Sequence, residues 1–120
     1  MKRGEVYWAD PVPGSGSEQT GRRPVVIVSH DAFNLISAWM SIIVVPVSTS
    51  ALQSRRGPTV VQFPVGAAGL PKPGVAVCHQ VTTLDRKKLT KRIGALAAEL
   101  LKEVDQAVKA AMGCGSHTGH

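Results

Sequence analysis

Acidic residues, aromatics and cysteines are all scarce in this chain of 120 residues. Eight Asp plus Glu stand against fourteen Lys plus Arg, a formal net charge of +6. This balance favours polyanionic partners through counterion release, without choosing among RNA, DNA, anionic lipid and an acidic protein. The five aromatics, Tyr7, Trp8, Phe33, Trp39 and Phe63, are too few for an extended base-stacking platform. Two cysteines, Cys78 in an apolar segment and Cys114 in a Gly-rich tail, make no disulfide framework. No apolar run approaches membrane-spanning length, and Met1-Lys2-Arg3-Gly4-Glu5 lacks the apolar core of a signal peptide. A soluble, reduced, cytoplasmic protein without a membrane partner is expected.

What is present is enough for one core. Hydrophobic residues make up 43% and charged residues 18% of the chain, a globular balance at a length that holds one ordinary domain. Val6-Tyr7-Trp8-Ala9 reads as a short strand ended by Pro11, Pro13 and Gly14. Val25–Val28 and Ser41–Val47 are unbroken, β-branched runs too short for helices, and so read as buried strands. Pro46 near the end of the second suggests a sheet edge or bulge. Thr59–Phe63 and Val75–Val81 complete a set of five or so strands, and His30–Asn34 reads as one helical turn with Asp31 as its N-cap. Leu100, Leu101, Val104, Val108 and Ala111 recur at helical spacing over 97–112, with Gly113 as the stop. The expected fold is mainly β, a small barrel with a C-terminal α-helix, in a single domain over 1–113 followed by a flexible tail over 114–120.

The chemistry concentrates in G-S-E-Q-T-G-R-R-P-V-V-I-V-S, residues 16–29. A long Pro/Gly/Ser-rich loop, of the kind that usually carries function, opens directly into an apolar strand. Pro24 biases Arg23 toward extended backbone, so its guanidinium is delivered from the mouth of a stiff element. A planar, permanently charged fork in that position suits a phosphate group. Ser48 and Thr49 end the next buried strand and bring hydroxyl donors, provided the two strands are neighbours. Glu18 and His79 are the candidate proton carriers, His79 because an unperturbed imidazole titrates near neutrality. If 75–81 is one regular strand, Cys78 and Gln80 share one face and His79 and Val77 the other, so His79 and Gln80 do not line one cleft together. Gln19, Arg22 and Gln80 are candidate substrate contacts, as are Arg55 and Arg56 in the basic connector 53–57. The cluster Lys87, Lys88, Lys91 and Arg92 reads as a solvated basic face. Cys114, His117 and His120 lack the spacing of a zinc site, and no metal or cofactor is expected.

In this order and spacing, R-G-E-V-Y-W at 3–8, the 16–29 segment, V-P-V-S-T-S at 45–50 and C-H-Q-V-T-T-L-D at 78–85 resemble the MazF/PemK family of toxin endoribonucleases. The resemblance runs from Arg3 to about Gly113. It implies an SH3-like β-barrel acting as a homodimer with an acidic antitoxin partner. It also implies metal-independent cleavage of single-stranded RNA at short motifs, leaving a 2′,3′-cyclic phosphate and a 5′-hydroxyl. By position it puts Arg23 and Thr49 on the scissile phosphate, Glu18 and Gln19 in the S-E-Q loop, and Gln80 at a glutamine frequent in the late strand.

One departure from the family pattern stands out. Some relatives carry Arg-x-Asp before that glutamine, where this chain has Val77 and His79. The general base therefore stays open among Glu18, His79 and water. A gyrase-binding toxin shares the barrel and performs no chemistry, which is the alternative reading, and an RNA binder that does not cut is a third.

Overall fold

The computed structural model describes residues 1–10, 22–49 and 57–114. Seven strands and two α-helices account for most of them: β1 Glu5–Ala9, β2 Arg23–Ile27, α1 Asp31–Asn34, β3 Ser41–Ser48, β4 Val60–Phe63, β5 Gly74–Val77, β6 Thr82–Asp85, β7 Leu89–Ala95 and α2 Ala98–Ala111. The strands form one antiparallel sheet ordered β4-β5-β3-β2-β1-β7, with β6 added beside β3.

The spine is β3, whose eight residues serve three partners. One edge pairs with β2 over Val44, Val45 and Pro46. The other pairs with β6 over Ser41 to Val44 and then with β5 at Val47 and Ser48. Pro46 is therefore not on a sheet edge, as the sequence suggests, but buried in the central strand. It lies where one edge of β3 passes from β6 to β5, so a residue without an N–H falls in the gap between two ladders.

Both faces of the central strands are buried, which explains their unbroken apolar runs. Val6, Val26, Val45, Val47 and Phe63 pack on one side with Val104 and Ala107 of α2. Ala9, Val25, Ile27, Ile42, Val44 and Leu84 form a second core on the other side. The first side also holds Cys78, whose burial pushes its thiol up to about 12, while Cys114 is exposed past the end of α2. Gly113 adopts φ +72, the left-handed stop expected after a helix.

The ends of the sheet, β4 and β7, share no ladder. The 3-10 turn Ala67–Gly69 after β4 packs against β7 instead and draws the sheet into a barrel-like shape. A Cβ at Gly94 would run into the Ala68 carbonyl, and one at Gly69 would lie 3.0 Å from the Ile93 carbonyl oxygen. Closure thus depends on bare backbone at two glycines.

Three local expectations change. Residues 78–80 form a 3-10 turn, not the continuation of a strand, so alternation does not govern His79 and Gln80. The α1 cap is His30, whose Nδ1 accepts from the Ala32 N–H at 2.9 Å. Asp31 instead accepts from the Arg3 N–H at 2.7 Å. The cluster Lys87, Lys88, Lys91 and Arg92 is exposed as a solvated basic face, but its residues belong to regular structure, the 3-10 turn Arg86–Lys88 and β7, that the sequence does not announce.

Gly94→Ala should destabilise the fold by about 2 kcal/mol or more through overpacking. Thermal denaturation would show this as a fall of roughly 10 °C in Tm. A thiol-specific reagent should titrate one cysteine in the native chain and two in denaturant; two fast thiols in the native protein would contradict the burial of Cys78.

Candidate functional site

The register between β2 and β3 builds the site. Val25 faces Pro46, Val26 faces Val45 and Ile27 faces Val44. Continued two steps past this ladder, the same register sets Arg23, the first residue of β2, across from Ser48, the last of β3, with Arg22 and Thr49 just outside the two strands. On the outer sides, Arg23 pairs with Ala9 of β1 and Ser48 with Val75 of β5. Five strand ends therefore meet along one rim, in the order β5, β3, β2, β1 and β7.

Along this rim the side chains divide by face. Alternation sends Arg23 to the side of Val25 and Ile27, with Ser48 beside it. Arg23 is half-buried, Ser48 is 8% exposed and Thr49 is exposed one residue past the ladder. Arg22 takes the opposite side, its guanidinium 5.4 Å from the centroid of the Trp8 ring. Trp8 pairs with Pro24 and is itself half-buried. The arrangement offers two guanidinium groups and two hydroxyls within neighbouring strand ends. It can bind and polarise an oxyanion, and the described residues supply no base near it other than the exposed Asp10.

The remaining candidates fall into two groups. Glu18, Gln19, Arg55 and Arg56 fall outside the described residues. His79 and Gln80 are not at the rim, because β5 leaves Ser48 at Val75 and runs away from it before the turn at 78–80. That turn packs against α2, and His79 Nδ1 lies 2.9 Å from the Thr59 hydroxyl. Among the described residues no three His, Cys, Asp or Glu side chains converge as metal ligands.

Two features escape the sequence reading. Trp8 sits in the R-G-E-V-Y-W motif, but its place under Arg22 needs the β1–β2 register, which no local spacing encodes. Arg86 stands just before the basic cluster of Lys87, Lys88, Lys91 and Arg92, and the sequence does not single it out. Its guanidinium donates to the carbonyls of Phe33 (3.3 Å), Asn34 (2.9 Å), Ile36 (2.9 Å) and Trp39 (2.7 Å). It thereby fixes an exposed apolar patch of Phe33, Leu35, Ile36 and Trp39, with Phe33 and Trp39 stacked at 4.8 Å and Ile43 exposed on β3.

Known proteins share this sequence and fold. The family profile of PemK-like, MazF-like toxins of type II toxin–antitoxin systems matches residues 2–112. The chain is 35% identical over 109 residues to the endoribonuclease EndoA of Bacillus subtilis (strain 168), covering 91% of each. A mycobacterial endoribonuclease solved in complex with its cognate antitoxin superposes with TM-score 0.74 at 25% identity, covering 96% of this chain and 97% of that one. MazF of Deinococcus radiodurans superposes with TM-score 0.73 at 26% identity, covering 94% and 96%.

Proposed function

Because the chain belongs to the PemK-like, MazF-like toxins of type II toxin–antitoxin systems, we propose that it is an endoribonuclease that cuts single-stranded RNA at the Arg23 rim. The observation that supports this most is the β2–β3 register, which, continued to the strand ends, sets Arg23 across from Ser48 with Arg22 and Thr49 just beyond. In the reaction the 2′-oxygen loses its proton and attacks phosphorus. The bond from phosphorus to the 5′-oxygen breaks, and the leaving oxygen takes a proton. The products are a 2′,3′-cyclic phosphate and a 5′-hydroxyl.

Arg23 stabilises the charge that builds on the non-bridging oxygens, where a fixed donor acts without reorganisation. A guanidinium stays protonated at neutral pH, which keeps it charged and unsuited to act as a base. The Ser48 hydroxyl, on the same face as Arg23, donates to that phosphate; Thr49 follows the strand end, and its hydroxyl reaches the phosphate over the rim, from the side of Arg22. Glu18 or water takes the 2′-proton, since His79 is engaged with Thr59 away from the rim. The chemistry needs no metal. An acidic antitoxin segment occupies the same basic rim and excludes RNA.

The working unit in this proposal is a homodimer joined through Phe33, Leu35, Ile36, Trp39 and Ile43. The charge of Arg86 is absorbed by four backbone carbonyls, so this patch offers an acidic antitoxin nothing to pair with. An apolar, internally braced surface suits its own copy across a two-fold axis.

Wild-type protein should cut a long mixed-sequence RNA into discrete fragments with 5′-hydroxyl ends in the presence of chelator. Arg23→Ala should lower that rate by about 100-fold or more with an unchanged Tm, and undiminished cleavage would overturn the assignment. Intact RNA with wild-type protein would point to a non-catalytic toxin. Ile36→Glu combined with Trp39→Lys should give a monomer in sedimentation velocity at micromolar concentration; a persistent dimer would move the interface elsewhere.

A further inference from the structure

Beyond Arg23 the rim continues across β1 to β7. Trp8 pairs with Lys91 and Ala9 with Leu89, so one extra residue, Thr90, interrupts the alternation of β7. The Thr90 hydroxyl donates to the Trp8 carbonyl at 3.2 Å, which seats this bulge. Its effect is to turn two residues of one strand to different faces. Leu89 packs into the second core, while Lys91 comes level with Trp8 on the side where Arg22 lies over the ring. Bulges re-aim side chains in this way beside functional sites. One residue before β7, the Lys88 carbonyl accepts from the Asp10 N–H at 3.1 Å, which ties Lys88 to the end of β1.

We propose that Trp8, Lys88 and Lys91 form a flanking subsite that holds the nucleotides next to the cut, with the two lysines on phosphates and the Trp8–Arg22 pair under a base. The proposal rests on the nuclease reading and deepens it. Lys88 and Lys91 are exposed, and the ion pairs among the described residues use Arg3 and Arg92 instead. Among the described residues Asp10 is the acidic one between them and Arg22 on the rim, and it is outnumbered by its cationic neighbours. β7 lies two strand spacings from β2, about 10 Å along the rim, and Lys91 takes the face opposite Arg23, so the RNA crosses the rim with one or two nucleotides between Arg23 and the lysines. An aromatic face covered by a guanidinium stacks a base of any identity. The subsite therefore adds affinity along the strand and leaves the choice of cleavage motif to other contacts.

The test uses full-length protein and a long mixed-sequence RNA. Lys88→Ala combined with Lys91→Ala should lower kcat/KM about ten-fold, roughly three-fold per phosphate, with kcat retained. The slope of log(kcat/KM) against log salt should shrink by about 0.7 for each phosphate that a lysine no longer neutralises. Lys102→Ala with Lys109→Ala on the exposed side of α2 removes the same charge and should leave both readouts unchanged. In a Trp39→Phe, Arg23→Ala background, uncut RNA should quench Trp8 fluorescence. A double lysine variant with wild-type kcat/KM and salt slope, or one matched by the α2 control, would overturn the subsite, and unquenched Trp8 would remove the stacking. If wild-type protein cuts no RNA, it is the nuclease reading that fails.

Discussion

The alignment of β2 with β3 is the constraint on which the rest of this molecule depends. It sets Arg23 and Ser48, some 25 positions apart in the chain, at one height, and it carries β1 and β5 into place on either side. Strand register is commonly pinned by one polar and one apolar face, since a one-residue slip exchanges them. That device is weak here because both faces are buried: Val25 and Ile27 in one core, Val26 in the other. The register is held by the lengths of the apolar blocks. The polar residues Arg22, Arg23, Ser48 and Thr49 bound those blocks at the same end. A slip in one direction would drag a guanidinium or a hydroxyl toward the interior without a partner, at a cost of several kcal/mol for the ion. The residues read as functional are therefore also the ones that stop the strands from sliding.

This dual role explains why so much of the site is legible in the sequence. An apolar run that ends abruptly in R-R-P on one side and S-T-S on the other states where two strands stop. The resemblance to a known family states that they stop together. The C-terminal helix is legible for a related reason: Leu100, Leu101, Val104 and Val108 keep helical spacing against a core that needs them. What stays hidden depends on contacts without a local signature. β6 and β7 expose most of their side chains and look like solvated loop, yet β7 exists because its backbone completes the edge of β1. The strand reading of 75–81 fails after Val77 because the chain has to leave β3 there and return as β6, and the 3-10 turn at 78–80 makes that change. His79 goes with the turn. Its place beside Thr59 follows from that turn, and its imidazole chemistry gives no hint of it.

The arginines show why a charge count locates so little. Four of them carry the same side chain into different work. Arg3 holds Asp105 in two contacts of 3.0 and 2.6 Å and reaches the Val28 carbonyl, which straps the N-terminus and the end of β2 to α2. Arg86 spends its donors on four carbonyls and braces an apolar patch. Arg92 pairs with Glu5 across β1 and β7. Arg22 lies over an aromatic ring and is exposed. A formal charge of +6 is thus a sum over groups of which several are already committed inside the fold. An incoming polyanion meets the exposed cations, and the rim gathers Arg22, Lys88 and Lys91 of these where the apolar patch presents none. Separating the two surfaces gives one small chain an apolar, charge-neutral face and, apart from it, a cationic edge. Net charge does not distinguish these surfaces, because a guanidinium such as that of Arg86, with its Nε and Nη2 hydrogens already given to carbonyls, has less left to offer a phosphate.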